Sequence, residues 1–184
     1  MPNTNVNSRT LKLAKMGLMV AIAVVCSLVH FPILPAAPHL EFEVMDIPIL
    51  IAGFAFGPLA GFVIGLVSIG LSVLLGIAQN PPFGPVMHII GISVCVLVAS
   101  LIYKKFKTKK WGLLALIIGG LCMVAALIPA NIIVTPLFLP FLTVDDVLGI
   151  IVPILLPFNL LKVVINTVVV FLLYKRLSPF LHKW

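Results

Sequence analysis

Apolar residues along this chain come in long runs, broken by short polar or proline-rich segments, and several runs have the length of a membrane crossing. A helix needs about 20 apolar residues to traverse the hydrocarbon. The first run covers 10–31 and ends at Pro32. The stretch from Asp46 to Ile77 is too long for one crossing at about 1.5 Å per residue. Gly57-Pro58 divides it, because a proline removes a backbone donor and breaks a helix. The pattern predicts a short helix over 46–56 and a second over 59–76. The short one reaches only about 16 Å, so it is expected to pack against protein rather than lipid. Further runs predict helices over 86–103, 112–138 and 149–174. The expectation is an all-α, polytopic membrane protein, with 1–184 forming a single domain of six transmembrane helices. Between the first two helices, the alternation His39-Leu40-Glu41-Phe42-Glu43 predicts a short extended piece.

Composition and charge narrow the class. Of 184 residues, 62% are hydrophobic and 9% charged, against roughly 45–50% and about 25% in soluble domains. That argues against a water-soluble enzyme, a nucleic-acid module or a disordered chain. The net charge of +7 follows from where the charges sit. Arg9, Lys12, Lys15, Lys104, Lys105, Lys107, Lys109, Lys110, Lys175, Arg176 and Lys183 fall in the segments 1–15, 104–111 and 175–184. The acids Glu41, Glu43, Asp46, Asp145 and Asp146 fall in the alternate segments. The positive-inside rule makes the basic segments cytoplasmic, with both termini, and the cell membrane the expected location. The basic run 104–110 is then an orientation signal rather than a nucleic-acid patch. Cys26, Cys95 and Cys122 stand singly in apolar runs and read as small buried hydrophobes. The apolar stretch Met16–Phe31 is too long for a signal-peptide core and is kept as a helix.

One cation escapes this pattern. Lys162 lies near the middle of the sixth span, where a lysine costs about 2.5–3.5 kcal/mol and needs a partner. With no acid at mid-membrane, the candidates are Asp46 at an outer helix end, backbone carbonyls and water, or a ligand. Asn159, Lys162 and Asn166 share one helical face. Asn131 and Thr135 share another in the fifth span, just after Pro129, and His88 opens the fourth. Together with His39, Glu41 and Glu43 of the loop after the first helix, these six are expected to surround a cavity that opens outward, with Lys162 at its floor. The same polar residues could instead only glue helices together, as in a membrane assembly protein with no small-molecule ligand. There is no Walker A loop, no HExxH and no paired carboxylates at depth, so neither ATP hydrolysis nor another enzyme activity is expected of this chain, and no cofactor or metal. Gly61–Gly65 is a GxxxG spacing that favours close helix packing. Ala14, Gly17, Ala21 and Ala23 thin the first helix, so that another helix can approach it within the chain or in a partner.

Several motifs together resemble the substrate-binding S components of energy-coupling factor (ECF) vitamin transporters. They are the basic N-terminal stretch, the Ala- and Gly-rich first helix, Asp46-Ile47-Pro48 and the run Gly53-Phe54-Ala55-Phe56-Gly57-Pro58-Leu59-Ala60-Gly61. Pro157-Phe158-Asn159-Leu160-Leu161-Lys162 and Leu172-Leu173-Tyr174-Lys175-Arg176-Leu177 look like the riboflavin-type branch. The resemblance implies a six-helix bundle that binds one vitamin near the outer face and works with a membrane scaffold subunit and two ATP-binding-cassette ATPases. It also implies that small residues of the first helix meet the scaffold, Gly17 and Ala21 being the nearest match.

For the vitamin itself, the segment Leu40–Pro48 lacks the lysine and serine of the riboflavin-branch loop. The segments 83–90 and 128–136 look more like pantothenate-assigned members. Pantothenate is an anion whose carboxylate could pair with Lys162 while Asn131 and Asn159 serve its amide and hydroxyls. A flavin would prefer aromatic faces, yet Trp111, Trp184, Tyr103 and Tyr174 all fall at the cytoplasmic side. Pantothenate is therefore the first expectation, with riboflavin or a pyridoxine-like vitamin as alternatives.

Overall fold

The computed structural model describes residues 8–182. Its helices are α1 (Ser8–Cys26), α2 (Asp46–Phe56), α3 (Pro58–Leu74), α4 (Phe83–Phe106), α5 (Lys109–Phe138), α6 (Val144–Ile150) and α7 (Leu156–His182). A π-helical turn, Ile151–Leu155, joins α6 to α7 without a break. Two three-residue strands, β1 (His30–Pro32) and β2 (Glu41–Glu43), pair antiparallel with Phe31 opposite Phe42. Three helical stretches, Phe83–Phe106, Lys109–Phe138 and Val144–Tyr174, are each long and apolar enough to cross a membrane. The chain is a multi-pass membrane protein. α2 and α3 are shorter apolar helices, and α1 carries Arg9, Lys12 and Lys15 in its first two turns.

α2 is the axis of the bundle. It packs on α1, α3, α4 and α7, and Asp46 through Phe54 are buried without interruption. A helix apolar on every side is stable only when protein surrounds it, which is how an 11-residue helix avoids stranding its ends in lipid. Its bounds coincide with those read from the sequence. Gly57 makes the reversal into α3 with φ of +99°, a backbone conformation open to glycine and strained for other residues. The GxxxG spacing of α3 serves contacts inside the chain. A Cβ on Gly61 would stand 2.6 Å from the Gly53 Cα, and one on Gly65 would press on Ile49 at 3.3 Å.

The first span is shorter than expected. Helix α1 stops at Cys26, and 30–32 leaves the helix to form β1, so the 10–31 reading is corrected at its C-terminal end. Two local reasons account for this. The Ser27 hydroxyl donates to the Val24 carbonyl at 2.7 Å, competing with helix propagation, and Pro32 biases Phe31 towards extended backbone. The extended piece anticipated at 39–43 is β2, with Phe42 fully buried beneath the hairpin. The π turn follows from Pro153, which cannot donate; the Leu156 amide reaches back five residues to the Ile151 carbonyl.

Candidate functional site

At the acid-bearing end of the bundle a cavity of about 130 Å³ lies under the β1–β2 hairpin and the loop before α4. His39, Leu40, Glu41 and Glu43 come from the hairpin side, Gln79 and Asn80 from the loop, and Phe83, Met87 and His88 from α4. Leu127 and Asn131 come from α5, and Leu155, Phe158, Asn159 and Lys162 from the π turn and α7. Of the nine residues expected to surround such a cavity, seven line it: His39, Glu41, Glu43, His88, Asn131, Asn159 and Lys162.

The other two stand behind the wall, a correction to the expected lining. Asn166 is one helical turn below Lys162 and donates to Asp46 Oδ2 at 3.0 Å. Thr135 donates to Asn131 Oδ1 at 3.4 Å and lies off the cavity. Sharing a helical face places such residues on one side of a helix but says nothing about depth, and one turn is about 5.4 Å. The amides of Asn131 and Asn159 each donate to the carbonyl four residues earlier, Leu127 at 2.7 Å and Leu155 at 2.8 Å. That pins both side chains in the proline-interrupted parts of their helices.

The floor is a four-residue charge cluster. Asp46, at the start of α2 and 0% exposed, receives Lys162 Nζ at 3.0 Å and His88 Nε2 at 2.5 Å. The other ring nitrogen of His88 meets Glu43 of β2. Of the partners open to Lys162 in the sequence, Asp46 is the one realised. The sum of the charges is zero wherever the shared proton rests. With His88 protonated there are two carboxylates and two cations; with the proton on Glu43, only the Asp46–Lys162 pair is charged. The cation at depth is therefore already neutralised by the chain itself.

Glu43 lies outside the helices. Burial pushes its carboxyl up, but the His88 imidazole and the Lys162 ammonium more than offset this and hold it below its usual 4.5. A depressed carboxylate adds stability that is complete above its unfolded value and is lost as pH falls through the folded one. The detergent-purified protein is thus expected to keep its melting temperature from neutrality down to about pH 5 and to lose stability below pH 4.5, a loss that shrinks in Glu43→Gln. Melting curves across pH 3–7 check this.

The roof is tied by a second polar chain. His30 of β1 is hydrogen-bonded to Glu41 Oε2 at 2.6 Å through Nδ1 and to Gln79 at 2.7 Å through Nε2. Asn80 donates to the His39 carbonyl at 3.4 Å. These contacts join the hairpin to the α3–α4 loop above the cavity. Nothing in the sequence signalled that His30 and Gln79, 49 positions apart, would meet.

On α1, Ala14, Gly17 and Ala21 are exposed, whereas Ala23 is 0% exposed and belongs to the core. Ala23 is therefore removed from the expected partner face, since it points from the opposite side of the helix into the bundle.

Fold and site together define a membrane-embedded helical bundle with a polar, loop-covered cavity at one end, the architecture of a solute-binding membrane subunit. The ECF transporter substrate-specific component family matches residues 11–174, and the chain belongs to that family. It is 32% identical over 177 residues to the riboflavin transporter RibU of Staphylococcus aureus, covering 94% of this chain and 93% of that one. It is 27% identical over 113 residues to the riboflavin transporter FmnP of Bacillus subtilis, covering 61% and 60% of the two chains. The solved S component of a bacterial ECF transporter superposes with a TM-score of 0.81 at 33% identity, over 96% of this chain and all of that one. ThiT from Listeria monocytogenes shares the fold, with a TM-score of 0.69 at 20% identity. Two of these four relatives are named as riboflavin transporters, and none of the four is named for pantothenate.

Proposed function

We propose that this chain is the substrate-binding component of an ECF importer that captures riboflavin at the acid-bearing, outer end of the bundle. The observation that carries the reading is the neutral cluster at the cavity floor. An anionic vitamin is the natural partner of an unpaired lysine, but Lys162 already has Asp46 at 3.0 Å. Pantothenate would bring an unbalanced charge into a low-dielectric site. Riboflavin is uncharged, with a flat apolar ring, a polar edge and a hydroxylated tail. Phe83, Met87, Leu127 and Phe158 offer apolar walls, while Asn131, Asn159, His88 and Lys162 offer polar groups for the edge or tail. The near full-length similarity to RibU points the same way.

Ligand pockets are commonly about 300–1,000 Å³, so a cavity of about 130 Å³ must widen to admit a flavin. The hairpin and the 76–82 loop part to do so, and the His30–Gln79 contact resists their separation. Inward transport is driven by a scaffold subunit and its ATPases, and the exposed face formed by Ala14, Gly17 and Ala21 is where the scaffold helix fits closely. A thermal-shift panel tests the substrate. At 100-fold excess over Kd, riboflavin is expected to stabilise the purified protein by about 2.7 kcal/mol, with pantothenate, thiamine and pyridoxine giving no shift. A shift with pantothenate and none with riboflavin would overturn the assignment.

A further inference from the structure

A larger cavity, of about 880 Å³, lies at the opposite end of the bundle under the α2–α3 turn. Its existence follows from the shortness of α2. Eleven residues reach about 16 Å, roughly half of a hydrocarbon core near 30 Å thick, so a helix that begins beside Lys162 brings the Gly57-Pro58 turn to the cytoplasmic side of the bundle. Three lysines line this cavity, Lys12 of α1 with Lys104 and Lys107 at the end of α4, and no acid does. The Ser100 hydroxyl, on a residue 1% exposed, is on its wall and has no hydrogen-bond partner. Apart from Tyr103 the remaining wall is apolar and runs out to the lipid-facing surface, where Leu59 is 70% and Val63 41% exposed.

We propose that this cavity binds one anionic phospholipid of the inner leaflet, its phosphate held by Lys12, Lys104 and Lys107 and its acyl chain laid along Leu59 and Val63. Cations alone would serve any anion; cations continuous with a wall that opens to lipid fit a headgroup with a tail attached. Basic pockets between helices on the cytoplasmic side are a recurrent form of headgroup site. The site is distinct from the small-residue face of α1, because Lys12 and Met16 point away from Ala14, Gly17 and Ala21. A lipid phosphate there also supplies acceptors for the backbone donors at the start of α3.

Native mass spectrometry of the full chain in detergent, titrated with dioctanoyl-phosphatidylglycerol, dioctanoyl-phosphatidylcholine or inorganic phosphate, tests this. One phosphatidylglycerol adduct is expected at far lower concentration than any phosphatidylcholine adduct, and millimolar phosphate should not displace it. The triple variant K12Q/K104Q/K107Q is expected to bind phosphatidylglycerol about a hundredfold more weakly, each lysine near the surface being worth roughly a factor of five. The control K105Q/K109Q/K110Q removes the same charge from outside the cavity and should stay within about threefold of the parent. Equal weakening in both triples, equal binding of the two lipids, or displacement by phosphate alone would each overturn the proposal. So would a K12Q/K104Q/K107Q protein that keeps its lipid but no longer co-purifies with a scaffold subunit, which would make the cavity a protein-docking groove.

Discussion

Asp46→Ala is expected to cost about 3–5 kcal/mol of stability, the range for removing one partner of a buried ion pair. Asp46 accepts from three donors at once: Lys162, His88 and Asn166. Its loss leaves a buried ammonium beside an imidazole, with Glu43 as the nearest remaining acid. The bilayer cannot hydrate what is left, so the cost lies at the upper end rather than the lower. The same change frees α2 from α4 and α7 at the level of the binding cavity, so ligand affinity falls with stability. Unfolding by dodecyl sulfate titration measures the first effect. A loss below about 1 kcal/mol would mean that water already reaches the cluster.

Lys162→Met is expected to be strongly destabilising alone and much less so when combined with Asp46→Asn. Each single variant leaves one uncompensated charge, whereas the double variant removes a cation and an anion together and leaves His88 paired with Glu43. Asn at position 46 keeps an acceptor for Asn166 and His88. The cycle should show about 2–3 kcal/mol of coupling, near the top of the range for residues in one network. Additive losses would show that Lys162 contributes packing alone. If Asp46→Asn alone still binds riboflavin and the well-folded double variant does not, Lys162 acts directly on the ligand.

The arrangement of helices was legible because membrane crossings impose a length and a polarity that a single sequence carries. Gly57-Pro58 divided 46–76 into the two helices observed. What escaped was non-local. Phe31 and Val29 prolong an apolar run, so nothing in the pattern announces that the chain turns there to pair with Glu41–Glu43. Asp46 and Asn166 meet across 120 positions, and periodicity on α7 could not reveal which of Asn159, Lys162 and Asn166 faces the cavity. The expectation of an anionic substrate drew no support, and its weakness lies at the same point. Lys162 was read mainly as a charge in need of a ligand, while its counter-ion sat on a short helix whose first residue projects inward rather than towards water.

The charges at the cavity floor are balanced within the chain, which suits the uncharged vitamin proposed above. Equilibrium dialysis of the purified protein against riboflavin, with and without a hundredfold excess of pantothenate, addresses this most directly. The account predicts saturable binding of one riboflavin per chain, undiminished by pantothenate. No riboflavin bound, or riboflavin displaced by pantothenate, would contradict it.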